Sequence, residues 1–165
     1  MTALATGTKA PEIELKTLTG KKFSLTDELA RGPVVLAFFK VSCPTCQYAF
    51  PYLERLYKAY GSKGVTLFGI SQNDANETAG FCKDFGLSFP MLLDDTRSYP
   101  ASNAYGLTNV PSIFWIAQDG EIELSSVGWV KADFEAINRK MAEYGKTAPA
   151  AVFKAGEEVR DFRAG

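Results

Sequence analysis

The chain has no histidine, and its 165 residues include only three cysteines. The first absence excludes Cys/His zinc sites, Ser-His-Asp triads and any imidazole general base. The second allows at most one internal disulfide, too few for a small disulfide-stapled scaffold. Charge of one sign is also missing: 18 basic residues against 19 acidic ones leave a formal charge of −1, so nothing global favours nucleic acid or an anionic membrane. No stretch approaches the roughly 18 apolar residues of a membrane span, and MTALATGTKAPEIEL has no basic segment leading into an apolar one. The chain therefore reads as soluble and cytoplasmic; a periplasmic or extracytoplasmic place would follow if a signal or anchor had been removed.

What is present is apolar material, 46% of residues, enough for one domain to bury a core without cross-links. Its period and its turn signals alternate between strand and helix. EIELK and KKFSL around TLTG predict a hairpin over 12–25, and Thr26 with two acids predicts the start of a short helix closing near Gly32. PVVLAFFKV has no polar alternation until Lys40, as expected of a strand buried on both faces. A helical pattern then runs to Gly61 across Pro51, which should kink the helix rather than end it. VTLFGIS and FPMLLDD predict further strands separated by a helix over 74–86. RSYPASNAYG predicts a short helix, PSIFWIAQDGEIELSSVG a hairpin, and KADFEAINRKMAEYG a closing helix. This order calls for an α/β domain over 1–145, a central mixed β-sheet flanked by helices. Residues 146–165 offer little core material and read as a C-terminal tail or edge extension.

Chemistry concentrates in SCPTC. Cys43 and Cys46 stand two residues apart where a buried strand turns into a helix. There the first sulfur meets unpaired backbone N–H groups and the positive end of the helix dipole, which favours thiolate. The second lies one turn on, close enough to resolve a mixed disulfide on the first. A zinc site would need a fourth ligand beyond Cys43, Cys46 and Cys82, and a purely structural disulfide would close too small a loop to stabilise much. Cys82 lies between apolar neighbours in FCKDF and reads as a packing thiol, with a third redox cysteine as the other reading. Trp115 and Trp129 read as core and sheet packing.

The strand into SCPTC, Pro51 eight residues after Cys43, and Val110-Pro111 opening a strand and hairpin together resemble the thioredoxin fold. The N-terminal hairpin and an inserted strand-helix unit between Cys46 and Pro111 resemble its TlpA/ResA-like and AhpC/TSA (redoxin) branch. The resemblance implies a thiol-disulfide oxidoreductase without metal or organic cofactor. Cys43 would attack, Cys46 resolve, Pro44 and Thr45 set the geometry between the sulfurs, and the backbone of Val110 beside a cis Pro111 orient the partner. Partners would be a disulfide-containing protein substrate and a redox partner protein. Two alternatives stand. A peroxiredoxin-like peroxidase would use Cys43 on peroxide, yet this chain has Lys40 and Leu36 where that pattern has threonine and proline, and no arginine near Ser112. A binding or redox-sensing module would use the fold without turnover. The buried acid that many thioredoxins place before the first cysteine is replaced by Ala37, which leaves water, Lys40 or Glu54 to move the resolving thiol's proton. Lys40 is either a solvated strand end or an ammonium favouring the Cys43 thiolate.

Overall fold

Six consecutive apolar residues, Val34–Phe39, form strand β3, and every one of them is buried. Their burial on both faces is the reason no polar alternation breaks the run. A computed structural model describes residues 3–61 and 63–165. Ahead of β3 in the chain come β1 (Glu14–Thr17), β2 (Lys22–Ser24) and the short α1 (Leu25–Leu29). After it come α2 (Pro44–Tyr60), β4 (Thr66–Ser71), α3 (Ala75–Phe85), β5 (Met91–Leu93) and α4 (Pro100–Ala104). The hairpin β6 (Ser112–Ile116) and β7 (Ile122–Val127), the two-residue β8 (Trp129–Val130), α5 (Lys131–Tyr144) and a last pair, β9 (Phe162–Arg163), complete the order.

The main sheet has the order β2-β1-β5-β4-β3-β6-β7. β3 pairs parallel with β4 and antiparallel with β6, so the sheet is mixed, as the element order requires. Alternate side chains of β3 enter opposite layers. Val35, Ala37 and Phe39 meet α2, α3 and α5, whereas Val34, Leu36 and Phe38 meet Ile13, Phe23, Tyr105 and Phe114. The inserted unit is α3 with its neighbouring strand, and the N-terminal hairpin extends the sheet beyond β5 through β1.

One local expectation shifts. The first helix begins at Leu25 with Ser24 as its cap, not at Thr26, because the amide and hydroxyl of Thr26 are both committed to the Glu12 carboxylate. As expected, α2 does not end at Pro51 but runs through it for 17 residues. Proline there forgoes one backbone hydrogen bond, and nine buried residues of this helix hold its face to the sheet.

Residues 146–165 lie on this domain. Tyr60 donates to Asn138 Oδ1 at 2.5 Å and accepts from the Ala150 amide at 2.6 Å, while Asn138 Nδ2 donates to the Ala150 carbonyl at 2.9 Å. Val152 is buried, and Phe153 packs edge-on to Tyr52 and against Phe134. Arg55 forks onto Glu157 at 2.7 and 2.8 Å and also donates to the Val152 carbonyl at 2.8 Å. β9 pairs antiparallel with β8.

Candidate redox site

β3 ends at Phe39, and a tight turn returns the amide of Cys43 to the Lys40 carbonyl at 3.1 Å. Pro44 then opens α2, a position where a missing N–H costs nothing and a fixed φ suits the helix. Cys43 is left as the helix cap, its backbone extended at φ −80 and ψ 116. Its Sγ accepts from the Cys46 amide at 3.2 Å, in the position usually filled by a serine or aspartate oxygen. The same thiol donates to the Val110 carbonyl at 3.4 Å. Val110-Pro111 is a cis peptide bond. Cys43, Val110 and Pro111 are thus one cluster, although 67 residues separate Cys43 from Val110.

The two cysteines are free thiols in unlike surroundings. Cys43 is half-buried; Cys46, in the first turn of α2, is fully buried. Burial first, and then the hydrogen bond with Cys43, push the Cys46 thiol well above its ordinary value, so it holds its proton through neutral and mildly alkaline pH. Thr45 is buried too, and its hydroxyl donates to the Ala164 carbonyl at 2.6 Å.

The other two residues singled out in the sequence sit elsewhere. Lys40 is exposed at the strand end and reaches the site through its backbone carbonyl; among the described residues its ammonium makes no ion pair. Glu54 is buried, yet its carboxylate is turned to the α3–β5 connection. It accepts from the Ser88 amide at 2.8 Å, the Ser88 hydroxyl at 2.5 Å and the Phe89 amide at 3.3 Å. Eight residues past Cys46, it stands about 12 Å farther along the helix axis. Cys82, half-buried on α3, has its thiol pushed up by burial and then by the charge of Glu54.

Sequence reasoning did not single out Asn109, Gly128 or residues 160–165, which border the dithiol. Asn109 Nδ2 donates to the Gly165 oxygen at 3.3 Å, and Gly128 holds φ 77 beside the passing chain. No residue type in AGEEVRDFRAG signals such a position. The contacts there are largely through backbone, which any residue supplies.

Comparison with known proteins agrees with this geometry. The family model described as AhpC/TSA family matches residues 6–125. Thiol-disulfide oxidoreductase ResA of Geobacillus thermodenitrificans is 33% identical over 123 residues, covering 74% of this chain and 69% of that protein. A thiol:disulfide interchange protein of the thioredoxin family from Chlorobium tepidum superposes with a TM-score of 0.68 at 29% identity, over 84% of this chain and 99% of that one. The thioredoxin domain of a thiol-disulfide oxidoreductase from Bacteroides vulgatus gives a TM-score of 0.74 at 24% identity, over 84% and 98% of the two chains, a likeness of fold. The fold is thioredoxin-like.

Proposed function

The chain belongs to the AhpC/TSA family, and from that premise we propose that it is a thiol-disulfide oxidoreductase whose working dithiol is Cys43 and Cys46. The observation that carries the reading is the pairing of a half-exposed helix-capping sulfur with a fully buried one a single turn on, beside a cis X-Pro carbonyl. Cys43 attacks one sulfur of a substrate disulfide. That S–S bond breaks, a mixed disulfide forms, and the second substrate sulfur leaves as a thiolate. The leaving thiolate is the nearest strong base and, directly or through water, takes the proton of Cys46. Cys46 then attacks Cys43 Sγ, the mixed disulfide breaks, and the first substrate sulfur leaves as a thiolate; the proton that Cys43 gave up to solvent before its attack is taken up there, so the substrate departs carrying two thiols. The chain is oxidised by two electrons and the substrate reduced by two; run backwards, the same steps oxidise a client.

The Cys46 amide supports this cycle, because a donor 3.2 Å from Cys43 Sγ stabilises the negative charge that Cys43 carries as the attacking thiolate, and as the leaving group when the steps run backwards. The Val110 carbonyl is an acceptor and suits a backbone N–H of the substrate. Substrates are proteins, and an exchange partner with its own dithiol resets the cysteines. No helix among the described residues is long and apolar enough to cross a membrane.

The decisive experiment measures insulin-disulfide reduction and peroxide consumption by the wild type, Cys43→Ser and Cys46→Ser. Exchange predicts insulin reduction that both substitutions abolish. Peroxide turnover surviving Cys46→Ser, with no insulin reduction by the wild type, would replace this reading with a peroxidase. Reversible oxidation with no turnover of either substrate would replace it with a redox-sensing module.

A further inference from the structure

The closing segment of the chain returns across the dithiol. It is anchored upstream: the Arg160 carbonyl accepts from Trp129 Nε1 at 2.6 Å, the Arg160 amide donates to the Tyr48 hydroxyl at 3.0 Å, and the Lys131 amide donates to the Asp161 carbonyl at 2.9 Å. Phe162–Arg163 pair with Trp129–Val130 as β9. The next residues lie over the site itself. The Ala164 carbonyl meets the Thr45 hydroxyl, inside the Cys43–Cys46 motif, and the Gly165 oxygen meets Asn109 Nδ2. The fit is close enough to demand glycine twice. A Cβ at Gly128 would stand 2.6 Å from the Arg163 carbonyl oxygen and 3.1 Å from the Gly165 nitrogen, and a Cβ at Gly165 would overlap the Val110 carbonyl oxygen. That carbonyl is the one to which Cys43 donates.

We infer that the cleft bounded by Thr45, Val110 and Gly128 is a site for an extended polypeptide strand, and that residues 163–165 are its internal occupant, a stand-in that an incoming substrate strand must displace. This rests on the exchange reading above and specifies its substrate. Arg163 keeps its guanidinium over the Tyr48 ring, 5.8 Å from the centroid, and the two residues after it offer the cleft backbone with little side chain: the Ala164 carbonyl toward the Thr45 hydroxyl, then Gly165, without Cβ, against Val110. A partner suited to the cleft presents the same chemistry, a strand with a small residue flanking its disulfide cysteine. The occupant is displaceable because its tip contributes hydrogen bonds and little apolar burial; Phe162 points outward, 62% exposed. The anchors at Arg160 and Asp161 keep it at high effective concentration, so it competes with a free polypeptide without closing the site permanently. Apparent affinity for polypeptide then falls by the fraction of time the cleft is open. A small disulfide reaching half-exposed Cys43 needs no cleft and escapes the competition.

Two variants of the full chain test this, Gly165→Leu, which forces a side chain against the Val110 carbonyl, and Asn109→Ala, which removes a tether. Each is assayed for reduction of insulin and of the small aromatic disulfide DTNB. The expected result is that kcat/KM for insulin rises about threefold or more in both, while that for DTNB stays within about 1.5-fold of wild type. Hydrogen exchange supplies the reciprocal measurement. In the mixed disulfide of Cys46→Ser with an insulin chain, the amides of 162–165 should exchange faster than in the same variant unliganded, and those of 146–155 should not. Insulin kinetics that are unchanged or slower in both variants, or strap amides equally protected in the mixed disulfide, would overturn the inference while leaving the exchange chemistry standing. Loss of both insulin and DTNB reduction in the wild type would instead remove the exchange reading, and the inference with it.

Discussion

Replacing Glu54 separates a structural carboxylate from a catalytic one. A general acid or base contributes about 100-fold or more to the rate it assists. If Glu54 relayed the Cys46 proton, Glu54→Gln would cost that much exchange activity at little cost in stability. The structure assigns its oxygens instead to the Ser88 amide and hydroxyl and the Phe89 amide, at 2.8, 2.5 and 3.3 Å. An amide oxygen at position 54 still accepts from the Ser88 amide, and its NH2 can donate to the Ser88 hydroxyl. Only charge assistance is lost, about 1 kcal/mol, or roughly 2–4 °C in Tm for a domain of this size. Glu54→Leu removes every acceptor and leaves two backbone donors stranded at the edge of the core. With roughly 1–3 kcal/mol for each strong contact, partly offset by no longer burying a carboxylate, the net loss is about 2–4 kcal/mol, or roughly 5–15 °C. Lys58, 4.0 Å away and 71% exposed, adds little to either figure. The assay pairs thermal melting with insulin reduction at a temperature where all variants are folded. Activity within about twofold of wild type for both is expected, since no step is assigned to this residue. A stable Glu54→Gln protein with activity down about 100-fold would refute the assignment.

Two further outcomes follow from the protonation states. Because burial, then Cys43, hold the Cys46 thiol protonated, iodoacetamide should modify Cys43 and spare Cys46 in the reduced native protein up to mildly alkaline pH, read by peptide mass; equal labelling of the two would contradict the geometry. Arg55, then the Lys154 amide, hold the Glu157 carboxyl down to about 2 against an ordinary 4.5, so its stabilising contribution is complete above 4.5 and lost as pH falls toward about 2. The hydrogen-exchange protection factors of residues 152–157, corrected for the intrinsic pH dependence of amide exchange, should fall over that window in the wild type and be low already at neutral pH in Arg55→Met; protection that stays flat in the wild type would count against the ion pair.

The dithiol junction was legible because its signals are local. An all-apolar strand, a cysteine at the cap position and a proline at the first helical position lie within a dozen residues, and each states its own conformational requirement. Val110-Pro111 was legible only through resemblance, since nothing within the dipeptide states that it meets a sulfur 67 residues away. What escaped was set at a distance by groups of no special type. Thr26 fails to open α1 because Glu12 claims its amide and hydroxyl. Glu54 has the same helical spacing as a residue facing the sulfurs could have, and its direction is decided by donors 34 and 35 residues on. The segment 160–165 is positioned through the carbonyls of Arg160, Asp161 and Ala164, which no composition encodes.

The polarity of the groups around Cys43 also bears on which oxidant it meets. A peroxide attacked by a thiolate develops negative charge on the departing oxygen, and donors aimed at that oxygen are what lower the barrier. Among the described residues the donor fixed on Cys43 Sγ is the Cys46 amide, which serves the sulfur. Opposite it stands the Val110 carbonyl, an acceptor, which would repel a developing oxyanion. For a polypeptide disulfide the same carbonyl is favourable, because the flanking backbone supplies an N–H. The leaving atom is then a thiolate, whose diffuse charge needs less help than an alkoxide or hydroxide. A cleft that offers the Val110 carbonyl as acceptor and the Thr45 hydroxyl and Asn109 amide as donors is therefore matched to the backbone of a strand bearing a disulfide. On that argument, slow peroxide consumption by Cys43 should show no saturation with peroxide, whereas insulin reduction should saturate as the cleft fills.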